Sequence, residues 1–310
     1  MLTHEHPKRE FLPMFERKEP LIKDHTATKL WKECPRKYFL RIVIGRTLAK
    51  QEMEVIFGWG NAVHMFMETM YLTEGDVQKS FVKALAIYKA PPMGSKWPHL
   101  TVERFGRTIK LLTEFYQKEK ALGNVEVKGI EQPFNVELPD GTIIGGRFDM
   151  FFTRSDRPLI RDWKTTTKQA NWFLPTLNPN DQVTRYVYAA SRLAGWSSSN
   201  PSMGKIDGAE FVVVENQPPT KSDPKHPKVI AQLISKSHHE LIEWEKDQMF
   251  IYKQMEFSRL HDIWPKHESN CSWCDYRTVC RQQTPGGMEW ELKSNFIQKF
   301  WDHTREEEEK

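Results

Sequence analysis

Apolar and polar positions alternate along the chain in two distinct textures. Helical patterning starts near Thr26, where Leu30, Cys34 and Tyr38 fall at four-residue steps and so share one predicted helix face. A second helix is predicted over Gly58–Tyr71, in GWGNAVHMFMETMY. Two more follow over Asp76–Lys89 and Leu100–Ala121, the last stopped by Gly123. Beyond Gly123 the texture changes. VEVKGIEQPFNVEL, IIGGRFDMFFTR and LIRDWKTTT, separated by the turns PDGT and SDRP, read as three successive strands. A helix is predicted over Asp181–Leu193. GAEFVVVEN, apolar nearly throughout, reads as a buried fourth strand, and NQPPTKSDPKHPK as a loop. Ser237 with Glu240 forms a capping-box pattern that opens a long helix to about Leu260. The final stretch, MEWELKSNFIQKFWDHTREEEEK, predicts an amphipathic helix with a solvated acidic tail.

This order, helices then a strand meander then helix, strand and helix, predicts an α/β fold with a mixed central sheet flanked by helices and a helical subdomain inserted early. With no internal repeat and no linker, one domain is expected. Residues 1–25 form a lead-in segment, 26–285 the main domain, and 286–310 a C-terminal helix and acidic tail. A chain of 310 residues with 39% hydrophobic and 28% charged residues has the composition of a soluble globular protein. No apolar run is long enough to span a membrane, and the polar N-terminus lacks the apolar core of a secretory signal, so a cytoplasmic location is expected. Net charge is +4. That is compatible with a local phosphate-binding groove and equally with an ordinary mildly basic protein.

Asp149, Asp162 and Lys164 are the first candidate chemistry. Alternate residues of a strand share a face, so Asp162 and Lys164 point the same way and Trp163 the other. Asp149 lies on the preceding strand. Two strands thereby present two carboxylates and an ammonium to a common point. Mg²⁺ or Mn²⁺ prefers such oxygen ligands, and an ammonium beside an attacking water helps balance its charge. D-x-K alone also describes an ordinary surface pair. His64 and Glu68, four apart on the Gly58–Tyr71 helix, face one direction with Gly60 one turn before; a small residue there admits a close neighbour. His64 offers a nitrogen ligand that would favour Mn²⁺, or is structural, with Glu68 holding its ring. Gln182 and Tyr186, again four apart, offer an amide and a phenol to a phosphate or base edge, or simply pack and solvate their helix.

The chain has four cysteines: Cys34, then Cys271, Cys274 and Cys280 in a C-x2-C-x5-C cluster. A disulfide framework is not expected in a large chain without a signal peptide. Four thiolates suit a [4Fe–4S] cluster. His267 with the three clustered cysteines would instead make a Cys₃His zinc site, leaving Cys34 a buried thiol. Arg36, Lys37, Arg41, Arg277 and Arg281 surround these cysteines. Trp273 and Tyr276 are candidates to stack bases or to pack around the site.

Taken in order, FGWGNAVHMFME, GGRFDM, IRDWKTTTK and Gln182-xxx-Tyr186 resemble the motifs of RecB-like nucleases of the PD-(D/E)xK superfamily. KLWKECPRKYFLR and ESNCSWCDYRTVC resemble the split iron–sulfur cluster of AddB-type and CRISPR-adaptation nucleases. The resemblance runs from about Thr26 to Cys280. It implies a restriction-endonuclease-like core closed by an iron–sulfur staple through all four cysteines. His64, Asp149, Asp162 and the Trp163 carbonyl would be ligands of Mg²⁺ or Mn²⁺, and Lys164 the catalytic lysine. Gln182 and Tyr186 would support the site and contact substrate. Glu131 stands where relatives often carry an acid. The implied activity is a metal-dependent DNA exonuclease acting on single strands or ends, in repair or recombination. Without a GxxxxGK[ST] loop, unwinding would need a helicase or recombination partner. The rival expectation is a catalytically silent DNA-binding module.

Overall fold

The computed structural model describes residues 11–18, 22–48, 54–91, 95, 98–200, 204–218 and 227–302. The tail Arg305–Lys310, and much of the expected lead-in, lie outside them. In chain order the elements are β1 (Ile22–Lys23), α1 (His25–Glu33), α2 (Pro35–Tyr38), β2 (Arg46–Leu48), α3 (Glu54–Leu72), α4 (Val77–Ile87), α5 (Val102–Leu122), β3 (Val125–Glu137), β4 (Ile143–Arg154), β5 (Arg157–Thr166), α6 (Ala170–Phe173), α7 (Asp181–Leu193), β6 (Gly208–Glu215), β7 (Lys228–Ile234), α8 (His238–His261), α9 (Arg277–Arg281), α10 (Pro285–Asn295) and β8 (Phe296–Gln298). They fall into two compact units. One comprises residues 11–48, 137–145 and 245–302, and the other 54–136 and 146–244, as far as described.

The larger unit is α/β, as the residue pattern predicts. Three of its helices start at side-chain caps. Asp76 caps α4 and Thr101 caps α5, while Asn180 accepts from the backbone of Gln182 and Val183 to start α7. Gly123 ends α5 in the left-handed conformation (φ +61°) that glycine adopts without a Cβ clash. Strands β3, β4 and β5 form the expected meander. Ser155 and Asp156, at φ +49° and +64°, make the two-residue β4–β5 turn, and Arg154 pairs with Arg157 across it. β5 then runs parallel to β6, and β6 antiparallel to β7. All eight β6 residues are buried, which accounts for its mostly apolar run, with Glu210 held by Arg161 and Arg154.

One face of the sheet packs against α3 and α5. Trp163, Val212 and Val214 pack with Trp59, Val63, Phe66, Met67 and Met70 of α3 and with Phe105, Ile109 and Leu112 of α5. Arg161, two residues before Trp163 on β5, is wholly buried. It hydrogen-bonds Glu119 (2.8 Å), Glu210 (2.7 Å) and the Tyr71 hydroxyl (2.7 Å). A buried guanidinium is tolerated only when paired in this way, and removing one member of such a pair costs about 3–5 kcal/mol. The β7 strand was not expected: its segment follows a proline-rich loop and is too short to show a clear period.

Two expectations about the smaller unit are corrected. Cys34 does not continue a helix shared with Leu30 and Tyr38. It ends α1 with extended backbone (φ −170°, ψ 116°), and Pro35 starts α2. A residue preceding proline is pushed out of the helical region by the ring, so the four-residue spacing misleads here. The predicted C-terminal helix also stops early. It begins at Pro285 behind the Thr284 cap and ends at Asn295. β8 then pairs antiparallel with β2, Thr47 opposite Ile297. In the same unit, β1 pairs in parallel with the first residues of β4, Ile22 beside Ile143.

Candidate active site and cysteine centre

The tight β4–β5 turn sets the strand register, with Met150 opposite Arg161. The pairing ends there; Asp149 and Asp162 are the next residue on each strand, and strand alternation puts both on one face. Asp149 Oδ2 accepts the Trp163 backbone N–H at 2.8 Å and lies 3.3 Å from His64 Nδ1. α3 can bring His64 in because Gly60 sits against β5: a Cβ there would stand 3.3 Å from Thr165 Oγ1. The Trp163 ring points away from Asp162 into the core, as strand alternation requires.

Asp162 is 1% exposed. Its Oδ1 accepts from Gln182 Nε2 at 3.2 Å, and the same amide donates to Tyr186 Oη at 3.0 Å. Its Oδ2 lies 2.7 Å from Lys164 Nζ but makes no hydrogen bond of good geometry, so a buried carboxylate oxygen keeps acceptor capacity. Burial raises the Asp162 pKa to about 6; Lys164 opposes the rise and Asp149 adds to it. Burial also pushes the Tyr186 phenol well above its usual range, with Asp162 adding to the effect. Gln182 and Tyr186 therefore meet the carboxylate rather than standing apart from it.

Glu131 comes into the site. Ligand-capable atoms of His64, Glu131 and Asp149 all lie within 4.8 Å of one another, and among the described residues this is the one such group of three. Glu131 breaks the regularity of β3 with φ +47°, uncommon for a residue with a side chain. It lies 3.4 Å from Arg147. Burial, then the charges of Asp149 and Glu68, push its pKa up to about 8. Glu68 thus sits within electrostatic reach of Glu131, while His64 Nδ1 faces Asp149. The sequence signal for Glu131 was its place one strand ahead of Asp149. Nothing in the sequence showed the backbone kink at this position.

The four cysteines, none in a disulfide, line a cavity of about 250 Å³ in the smaller unit. Cys34 Sγ accepts the His267 backbone N–H at 3.4 Å, and His267 Nδ1 lies 3.2 Å from the Glu33 carbonyl. Burial raises the thiols of Cys274 and Cys280; Lys37 opposes it at the first, Arg36 and Lys266 at the second. Among the described residues no three of these sulfurs and the His267 imidazole come within 4.8 Å of one another. Several expected nucleic-acid contacts are used internally. Tyr276 is 2% exposed, donates to the Arg46 carbonyl and stacks on Phe296. Arg36 bonds the Trp264 carbonyl and covers the Phe11 ring, Lys37 pairs with Glu33, and Arg41 donates to Thr47. Trp273, Arg277 and Arg281 remain exposed.

Residues 25–281 match the PD-(D/E)XK nuclease superfamily, and the chain belongs to that superfamily. Its nucleases use divalent metals such as Mg²⁺ or Mn²⁺. The crystal structure of a "putative exonuclease" from Eubacterium rectale shares the fold, with a TM-score of 0.51 and 10% identity over 85% of this chain and 89% of that one. The crystal structure of SSO0001 aligns over 72% of this chain and 84% of its own at 13% identity, but its TM-score of 0.31 is too low to bear on the fold. No curated protein matches the sequence.

Proposed function

We propose that this protein is a metal-dependent DNA exonuclease acting on single strands or DNA ends. The observation that carries the reading is the buried Asp162 carboxylate, held by Gln182 on one oxygen and facing the Lys164 ammonium at 2.7 Å on the other, beside the His64–Glu131–Asp149 group. A hard divalent cation fits that donor set of carboxylates and one imidazole. His64, Asp149, Asp162 and the Trp163 carbonyl would hold it, with Glu131 added by its position. When bound, the ion supplies Lewis acidity to the scissile phosphate and makes water easier to deprotonate.

The chain's own residues do the rest. Gln182, fixed in the first turn of α7 by the Asn180 cap, orients the Asp162 carboxylate. The Trp163 N–H does the same for Asp149. Lys164 brings its ammonium to Asp162 and offsets negative charge developing on the attacking water. The preference for ends and single strands follows from the resemblance of the motifs to RecB-like nucleases. Such a role belongs to DNA repair or recombination in the cytoplasm, with unwinding left to a helicase partner.

A [4Fe–4S] cluster on Cys34, Cys271, Cys274 and Cys280 is the second part of the reading. All four cysteines line one cavity, and the His267 N–H directed at Cys34 Sγ suits a thiolate ligand. Cleavage of DNA labelled separately at each end, single- and double-stranded, together with a circular substrate, tests the reading in Mg²⁺ or Mn²⁺. Mononucleotides released from linear DNA with circles intact are expected; nicked circles would overturn the exonuclease. Iron and sulfide are expected in anaerobically purified protein, and stoichiometric zinc would overturn the cluster.

A further inference from the structure

We propose that Trp273, with Arg277 and Arg281, forms a stacking platform for single-stranded DNA on the cysteine-bearing unit. The proposal rests on the nuclease reading for the identity of the strand, but on different residues for its contacts. Trp273 is 94% exposed, the most exposed of the large apolar side chains among the described residues. Its position is fixed nonetheless. It lies between Cys271 and Cys274, in a short turn closed by the Cys274 N–H on the Cys271 carbonyl, and it lines the mouth of the cysteine cavity with Lys266 and Arg277.

The other aromatic candidate nearby, Tyr276, is turned inward, so the division of labour is clear. One ring packs the unit and the other faces water. An indole left open on a rigid turn offers a flat face that any unpaired base can cover, whatever its identity. Arg277 and Arg281 are exposed and four residues apart on α9, which sets both guanidinium groups on one side of the helix. Arg277 shares the cavity lining with Trp273. Lys266, exposed and anchored to the Cys280 carbonyl, adds a third cation. The cavity lining sets Lys37, Lys266 and Arg277 against Glu33, so the rim keeps a positive surplus; Glu268 and Asp275 lie close by in sequence. A ring flanked by cations matches the base and phosphate of one strand. It matches a paired duplex poorly, since the bases there already stack on one another.

The test is equilibrium binding of fluorescent oligo(dT) to the anaerobically purified full chain, without added Mg²⁺ or Mn²⁺, alongside its visible absorbance and melting temperature. Trp273→Ala is expected to weaken binding about five- to 150-fold, the range of one stacked base, with absorbance and melting unchanged. Trp273→Phe should recover most of the loss, because it restores a ring without restoring the indole. Arg277→Ala should lower the steepness of log K against log salt by about 0.7, the counterion signature of one phosphate contact on a single strand, whereas Trp273→Ala should leave that slope alone. Blunt duplex should respond to neither Trp273 variant. Unchanged oligo(dT) affinity in Trp273→Ala overturns the proposal. So does a loss of affinity accompanied by loss of absorbance or melting temperature, since Trp273 would then be shielding the cysteines. Cleavage by each variant at saturating DNA separates this outcome from failure of the nuclease reading.

Discussion

Asp149, Asp162 and Lys164 come from one β-hairpin, whereas Cys34 joins Cys271, Cys274 and Cys280 across most of the chain. In the hairpin a two-residue turn at Ser155–Asp156 fixes the register, and strand alternation then puts both carboxylates on one face. In the cysteine centre the local chain does the reverse of what its spacing suggests: Cys34 leaves the helix at Pro35. The centres also differ in exposure. Asp162 is deeply buried and loses hydration, so its pKa climbs and its charge calls for a counterion. The thiols are half-buried around an open-mouthed cavity rimmed by cations. One centre is therefore local in sequence and electrostatically demanding, and should be read out as catalysis. The other gathers residues distant in sequence, so a group bonded to its thiols would close a long loop and be read out as stability.

The largest effect expected from this contrast is on the cysteine side. A group bonded to both Cys34 and Cys280 closes a loop of about 250 residues, worth about 5 kcal/mol by loop entropy. Cys34→Ala should therefore lose iron and sulfide and melt about 8 °C lower for a chain of this size. Calorimetry with metal analysis checks this. An unchanged melting temperature with metal retained would show that Cys34 is not part of the closure.

On the carboxylate side, Asp162→Asn and Lys164→Ala should each slow single-turnover cleavage by roughly 10²- to 10³-fold, the effect of removing one preorganised charge. Melting should not fall as it does for Cys34→Ala. DNA affinity should persist, because phosphate contacts elsewhere dominate it. If either variant cuts at the wild-type rate, the site is wrongly placed.

His64→Ala should raise the Mn²⁺ concentration for half-maximal activity by about 10- to 100-fold, the range of disturbed metal sites, with high Mn²⁺ restoring rate. A histidine serving only the fold would lower melting and show no rescue.

The smallest effect concerns protons. Glu131, with its pKa raised to about 8, holds a proton in the folded, metal-free protein at pH 7 that the unfolded chain has released. A raised carboxylate pKa means that the folded state binds the extra proton between its ordinary value and about 8. Stability of the metal-free protein should thus fall as pH rises through that window. Mn²⁺ binding near pH 7 should release about one proton from this group, visible as a dependence of the calorimetric heat on buffer. Glu131→Gln should remove that release and flatten the pH dependence of melting. Equal proton release in both proteins would place the ion away from Glu131.

The sequence was most informative where chemistry is local. The β4–β5 hairpin, the strand alternation that separates Trp163 from Asp162 and Lys164, the α7 spacing of Gln182 and Tyr186, and the reciprocal Ser237–Glu240 cap all follow from period and turn residues over a few positions. The family match bears out the nuclease class those motifs implied. What escaped depends on contacts distant in sequence. The strand β7 and the β2–β8 pair exist because another strand offers them hydrogen bonds. The buried Arg161 looks like a surface charge until Glu119 and Glu210 arrive from other elements to neutralise it.

The chain by itself determined that Asp162 and Lys164 share a face away from Trp163, because strand and helix periods fix the direction of neighbouring side chains. Only the tertiary structure decided that the kink at Glu131 brings a further acid to His64 and Asp149, that Tyr276 faces inward while Trp273 faces water, and that Cys34 meets the other three thiols. Those outcomes depend on which surfaces pack against one another, and periodicity along a single chain carries no distance between segments far apart in it.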